Sequence, residues 1–136
     1  VNQGCAGYIY GLQIANALID SYQAKYVLLL TGDTYSKIIN ENDSSVATLF
    51  GDGASASLIA QEVPELGASS IGTFKFGTDG SKYEKLICRD GGFREKINNQ
   101  ELYMNGPSIM EFTLKVIPKL VKSYLESENF LNLMQF

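Results

Sequence analysis

Between Tyr8 and Ile19 apolar side chains fall at Tyr8, Ile9, Leu12, Ala15 and Ile19, a helical spacing, while Tyr10, Ile14, Ala17 and Leu18 fill the remaining faces. A helix this apolar is expected to be buried all round. After a short polar turn, the continuous run Tyr26-Val27-Leu28-Leu29-Leu30 ends in Thr31-Gly32-Asp33 and reads as an interior sheet strand. Helix followed by buried strand points to α/β layering. A polar loop covers Asn40 to Ser45, and a tight Gly51-Asp52-Gly53 turn leads into a second strand. There Ala54, Ala56, Leu58 and Ala60 alternate with Ser55, Ser57 and Ile59. Gln61 to Leu66, with Pro64 and two glutamates, reads as a linker between structural halves. Ile71 to Phe76 reads as a further strand, and Thr78 to Gly92 as a loop holding the short apolar run Leu86-Ile87-Cys88. Ser108 to Leu125 reads as a long helix with Ile109, Phe112, Val116, Leu120 and Leu125 toward a core. Ser108 is its expected N-cap, and Pro118 is expected to remove one helix hydrogen bond and bend it.

Composition narrows the function classes. The chain has 136 residues, 45% hydrophobic and 19% charged, which is enough to bury a core and excludes a disordered or disulfide-stapled peptide. Its formal charge of −4 gives no attraction for phosphate backbones or anionic lipid, so neither nucleic acid nor membrane is expected as a partner. No apolar run approaches the roughly 18 residues of a membrane span and no secretory leader is visible, which fits a cytoplasmic setting. The chain contains no histidine, so it cannot by itself build a Ser-His or Cys-His pair or an imidazole base. It begins at Val1 rather than Met, which reads as an internal segment.

Cys5 and Cys88 lie far apart without CxxC spacing, so reduced thiols are expected rather than a zinc ribbon or a disulfide framework. Cys5 lies within Gly4-Cys5-Ala6-Gly7 at the threshold of the apolar helix, where the helix dipole and free N–H groups favour a nucleophilic thiolate. Its small neighbours would let an acyl group approach. Spacing alone leaves a second reading open, a small buried cysteine that only packs. Gly51-Asp52-Gly53 lacks the Lys-Ser of a phosphate loop and reads better as a turn. Asp33, Asp43, Asp52 and Asp79 fit no calcium loop and fall at expected turns, so no metal site is expected. Lys115, Lys119 and Lys122 share one helix face, open either to an acidic partner or to solvent.

Four segments in fixed order carry a resemblance. They are Gly4-Cys5-Ala6-Gly7-Tyr8-Ile9-Tyr10-Gly11-Leu12, Phe50-Gly51-Asp52-Gly53-Ala54-Ser55-Ala56, Gly77-Thr78-Asp79-Gly80-Ser81 and Leu102-Tyr103-Met104-Asn105-Gly106. Together they resemble the ketoacyl-acyl-carrier-protein synthase III family of thiolase-fold condensing enzymes, whose members are more than twice this length. The resemblance implies an α/β, thiolase-like layered fold, present in part. Residues 1–62 would end the first thiolase-like half, with the nucleophile helix, and residues 63–136 would begin the second. It implies that Cys5 attacks an acyl thioester, holds the acyl group and passes it to a carbanion made by decarboxylation of malonyl-acyl-carrier protein. The backbone N–H of Cys5 would also serve an oxyanion hole. Tyr35 and Phe50 fall where family members line the acyl pocket, with Met110 as a third position.

The same resemblance implies acyl-carrier protein and acyl thioester as partners, no cofactor, and a homodimer when intact. The family's catalytic His and Asn, in a His-Gln-Ala-Asn segment and a later Asn, would follow just after Phe136. Its second oxyanion donor lies further still. At Ser44 many members carry an Arg that packs on the adenine of coenzyme A, and Pro107 stands where a polar residue is common. The expectation is an incomplete part of an acyltransferase, inactive alone. The rival reading is a non-catalytic thiolase-like interaction or scaffold module.

Overall fold

The computed structural model describes residues 1–61, 71–89 and 101–128. Along the chain come helix α1 (Gly7–Asp20), strand β1 (Tyr26–Asp33), the short helix α2 (Ser44–Ala47), β2 (Gly53–Ala60), β3 (Leu86–Cys88), β4 (Leu102–Met104) and helix α3 (Gly106–Ser127). These elements fall into two units, Val1–Asp33 with Asp52–Phe74, and Thr34–Gly51 with Lys75–Phe136.

The first unit packs α1 on an antiparallel β1–β2 pair. The register runs from Tyr26 opposite Ala60 to Asp33 opposite Gly53. Because side chains alternate across a strand, Val27, Leu29 and Ile59 share one face, and Tyr26, Leu28, Leu30 and Leu58 the other. Ala15, Ile19 and Ile59 form the core, joined by the half-buried Leu12, Val27, Leu29 and Ile71. Gly11 lets α1 come close: a Cβ there would lie 2.8 Å from a Leu29 methyl carbon.

The burial expected of α1 and β1 is corrected here. Only Gly11, Ala15 and Ile19, a stripe with a spacing of four along α1, are buried, while Tyr8, Ile9 and Ile14 are exposed. β1 alternates exposed and half-buried along most of its length, and the apolar face carrying Tyr26, Leu28 and Leu30 is open. A two-stranded sheet with one helix on it has only one face to cover, so all-round hydrophobicity exceeds what this unit can bury.

α1 closes through a Schellman motif. Gln23 N–H donates to Leu18 O at 3.0 Å and Tyr22 N–H to Ile19 O at 2.9 Å. The left-handed position of that motif is Tyr22, with φ of 58°, where glycine is the usual occupant.

In the second unit, β3 and β4 pair antiparallel, Leu86 with Met104 through Cys88 with Leu102. The loop expected around Leu86-Ile87-Cys88 therefore contains a strand, formed because Leu102-Tyr103-Met104 supplies the ladder. Leu102 N–H also donates to Ile38 O at 2.8 Å, tying β4 to the segment before α2. α3 matches the expected helix and runs on through Pro118. Its Ile109, Phe112, Val116, Leu120 and Leu125 are half-buried, as the periodicity requires. Its N-cap is Asn105 rather than Ser108: the Asn105 side-chain carbonyl accepts from Ser108 N–H at 3.0 Å, and Pro107 occupies the first turn.

The strand expected over Ile71–Phe76 is not formed, because no described segment pairs with it; Ile71 packs into the core of the first unit instead. The linker expected over Gln61–Leu66 lies, from residue 62, outside the described residues.

Two substitutions test these local assignments. Asn105→Ala is expected to lower stability by about 1 kcal/mol in urea unfolding, while Ser108→Ala stays within about 0.5 kcal/mol. Tyr22→Gly is expected to raise stability by about 1 kcal/mol, read as a higher urea midpoint at unchanged slope, because it relieves a left-handed backbone position.

Candidate active site

Cys5 sits in a 3₁₀ turn, Gly4–Ala6, that feeds directly into α1. Gly4 has φ of 50°, a left-handed conformation that makes the sharp entry possible. Ala6 N–H donates to Gln3 O at 3.2 Å, and Gly7 N–H is directed at Gly4 O. The N-cap of α1 is Ala6, whose methyl side chain cannot accept a capping hydrogen bond, and the N–H of Gly7 is engaged by Gly4 O instead. Cys5 is exposed, so within this unit it is not a packing residue.

Beyond Cys5, α1 is held to the sheet by polar and apolar contacts in succession. Tyr8 and Ser57 join hydroxyls at 3.0 Å. Next come the Gly11–Leu29 approach and the Ala15–Ile19–Ile59 core. On the same sheet face Thr31 and Ser55, directly opposite in register, hydrogen-bond through their hydroxyls at 2.7 Å. The Tyr8–Ser57 link is not predictable from local sequence, since it joins residues 49 positions apart.

Tyr35, Phe50 and Met110 belong to the second unit. The structure brings the first two together: their rings stack with centroids 5.0 Å apart and planes inclined by 18°. α2 sets this pair. Val46 is completely buried, and its carbonyl accepts from Phe50 N–H at 3.0 Å, while Tyr35 O accepts from Ile39 N–H at 3.1 Å. Met110 is 61% exposed on α3, with Leu114, Ile117 and Val121 along the same apolar stripe.

Ser44 opens α2, exposed, and its carbonyl accepts from the Thr48 hydroxyl at 2.9 Å. The cap before it is Asp43. Ser45 donates from its hydroxyl at 2.6 Å and from its N–H at 2.9 Å, and these bonds hold the Asp43 carboxyl below the usual carboxylate range. Hydrogen bonds from Ser81, with Lys82 and Lys115 nearby, do the same for Asp79. Both aspartates thus act as cap and turn residues. The three α3 lysines do not act alike: Lys122 faces Glu126 at 3.9 Å, while the partner of Glu111 on the same helix is Lys82, at 3.4 Å.

Comparison with known proteins places this geometry. The sequence model of the 3-oxoacyl-[acyl-carrier-protein] synthase III family matches residues 1–80. A putative 3-oxoacyl-[acyl-carrier-protein] synthase 3 of Campylobacter jejuni is 37% identical, covering 93% of this chain and 38% of its own length. A beta-ketoacyl-[acyl-carrier-protein] synthase III 2 of Staphylococcus epidermidis is 34% identical, covering 96% and 40%. Among solved structures, a 3-oxoacyl-(acyl-carrier-protein) synthase III superposes with a TM-score of 0.83 at 42% identity, covering 95% of this chain and 42% of that one. The corresponding synthase of Burkholderia xenovorans gives a TM-score of 0.74 at 34% identity, over 93% and 38%. The chain therefore spans about two-fifths of the length of the relatives it matches, and its α/β fold is a part of the thiolase-like one. With the family model matching more than half of its residues, the chain belongs to the 3-oxoacyl-[acyl-carrier-protein] synthase III family.

Proposed function

We propose that this chain is the nucleophile-bearing part of a condensing acyltransferase of fatty acid synthesis. The observation that carries the reading is the family match across residues 1–80, with Cys5 exposed at the uncapped start of α1. In this reading the Cys5 thiolate attacks the carbonyl of an acyl thioester. The carbon–sulfur bond of the donor breaks, its thiol leaves with a proton, and the acyl group stays on Cys5. Decarboxylation of malonyl-acyl-carrier protein then supplies the carbanion that takes the acyl group. The backbone N–H of Cys5 would support the oxyanion of each tetrahedral intermediate.

Residues 1–62 and 63–136 would contribute to successive thiolase-like halves. The Tyr35–Phe50 stack would bound the acyl group, with Met110 a further wall. An acyl-carrier protein is the expected partner, the intact enzyme is a homodimer of the cytoplasm, and no cofactor is required. Among the described residues no helix is long and apolar enough to cross a membrane.

The 136-residue chain alone is expected to give no condensation of malonyl-acyl-carrier protein above its Cys5→Ala variant. It has no imidazole, and acid–base assistance is worth about 10²–10⁴ in rate. Product analysis by mass spectrometry checks this, and turnover above that control would overturn the assignment of the missing groups to residues outside the chain.

A second prediction concerns the donor. With Ser44 in place of an arginine, the intact enzyme is expected to prefer acyl-acyl-carrier protein to acyl-coenzyme A. Ser44→Arg is expected to improve acyl-coenzyme A selectively, by about 2- to 30-fold, the range of an arginine–ring contact. Steady-state kinetics with matched acyl groups on both donors measure the ratio.

A further inference from the structure

We propose that Tyr8 is a positioning residue for Cys5: its hydrogen bond to Ser57 fixes the first turn of α1 on the sheet and so sets where the thiol stands. The inference rests on the reading of Cys5 as the acyl-accepting nucleophile.

The apolar contacts that seat α1 are at Gly11, Leu12, Ala15 and Ile19, all beyond Cys5 in the chain. Apolar contacts are non-directional, so the seat by itself does not fix the orientation of the first turn of α1. A small rotation about that seat is carried to the end that bears the thiol. Tyr8 lies one helical turn past Cys5, between the thiol and the apolar seat. Its hydroxyl meets the Ser57 hydroxyl at 3.0 Å, and a hydrogen bond is directional.

Ser57 is directly opposite Leu29 in the β1–β2 register, and Leu29 is the side chain over which Gly11 lies. The hydrogen bond and the close approach therefore act on neighbouring points of one face. Together they set both the rotation and the translation of the first turns of α1, which neither sets alone. Acyl transfer needs this, because a displacement of about 1 Å at a reacting atom can cost about 100-fold in rate.

The experiment uses the 136-residue chain with Tyr8→Phe, Ser57→Ala and both together. The alkylation rate of Cys5 by iodoacetamide is read by peptide mass spectrometry, with Cys88 as internal reference. Each single variant is expected to slow Cys5 about 2- to 10-fold relative to Cys88, the range set by one neutral hydrogen bond. The double variant should be no slower than either single one, and Ser57→Thr, which keeps a hydroxyl, should recover most of the loss in Ser57→Ala.

Asn16→Ala removes a different α1 hydrogen bond, to Asp20 at 2.8 Å, and is expected to leave the Cys5 rate unchanged. The proposal is overturned if Tyr8→Phe leaves the rate unchanged, if the two losses multiply, or if Asn16→Ala slows Cys5 as much. Acetylation of the parent chain by the acetyl thioester of N-acetylcysteamine separately tests the underlying reading. Acetyl transfer to Cys5 above Cys88 supports that reading, and its absence overturns it while the alkylation series still decides the Tyr8–Ser57 coupling.

Discussion

A glycine backbone lying on a leucine side chain sets the geometry of the unit that carries Cys5. Where Gly11 passes Leu29, a Cβ would be 2.8 Å from a methyl carbon, so the helix axis comes nearer to the sheet than a larger residue would allow. That approach seats Ala15 and Ile19 on Ile59 and brings the Tyr8 hydroxyl to Ser57. Removing apolar area from water supplies the attraction, and the small side chains decide the distance.

In the second unit caps hold the helices. Asp43 caps α2, Asn105 caps α3, and Val46 is fully enclosed, beside the turn that presents Phe50 to Tyr35. A short helix contributes few hydrogen bonds of its own, so the two bonds from Ser45 to the Asp43 carboxylate are a large share of what holds α2. The same bonds keep that carboxylate ionised to lower pH than an unperturbed aspartate, which matches the cap to the unsatisfied N–H groups it serves.

Much of the fold and of the candidate site was legible in the sequence. The spacing at Ile109, Phe112, Val116 and Leu120 located α3 and its inward face, because helix period and burial are set by the same geometry. The Gly-Cys-Ala-Gly context placed Cys5 at a helix entrance, where the structure also has it. Tyr35 and Phe50 were singled out separately, and only the chain path through α2 shows that their rings stack. The signal for Asn105 is present in the sequence as well: asparagine two residues before a first-turn proline is an N-cap pattern, and Ser108 is the donor to it rather than the cap.

The sequence by itself determined the helices α1 and α3, the run of β1 and β2, the position of the thiol and the family, since these depend on local periodicity and on residues in order; the short α2, read as the end of a polar loop, it did not. It could not determine which apolar faces would be covered. Tyr26, Leu28, Leu30 and Leu58 are as hydrophobic as Leu29 and Ile59, yet the first set is exposed and the second packs under α1. Hydrophobicity is a property of a side chain, whereas burial depends on what else occupies the space beside it. For the same reason residues 71–76, strand-like in pattern, form no strand with the described residues: a ladder is made by two strands, and only tertiary structure decides where the second one runs.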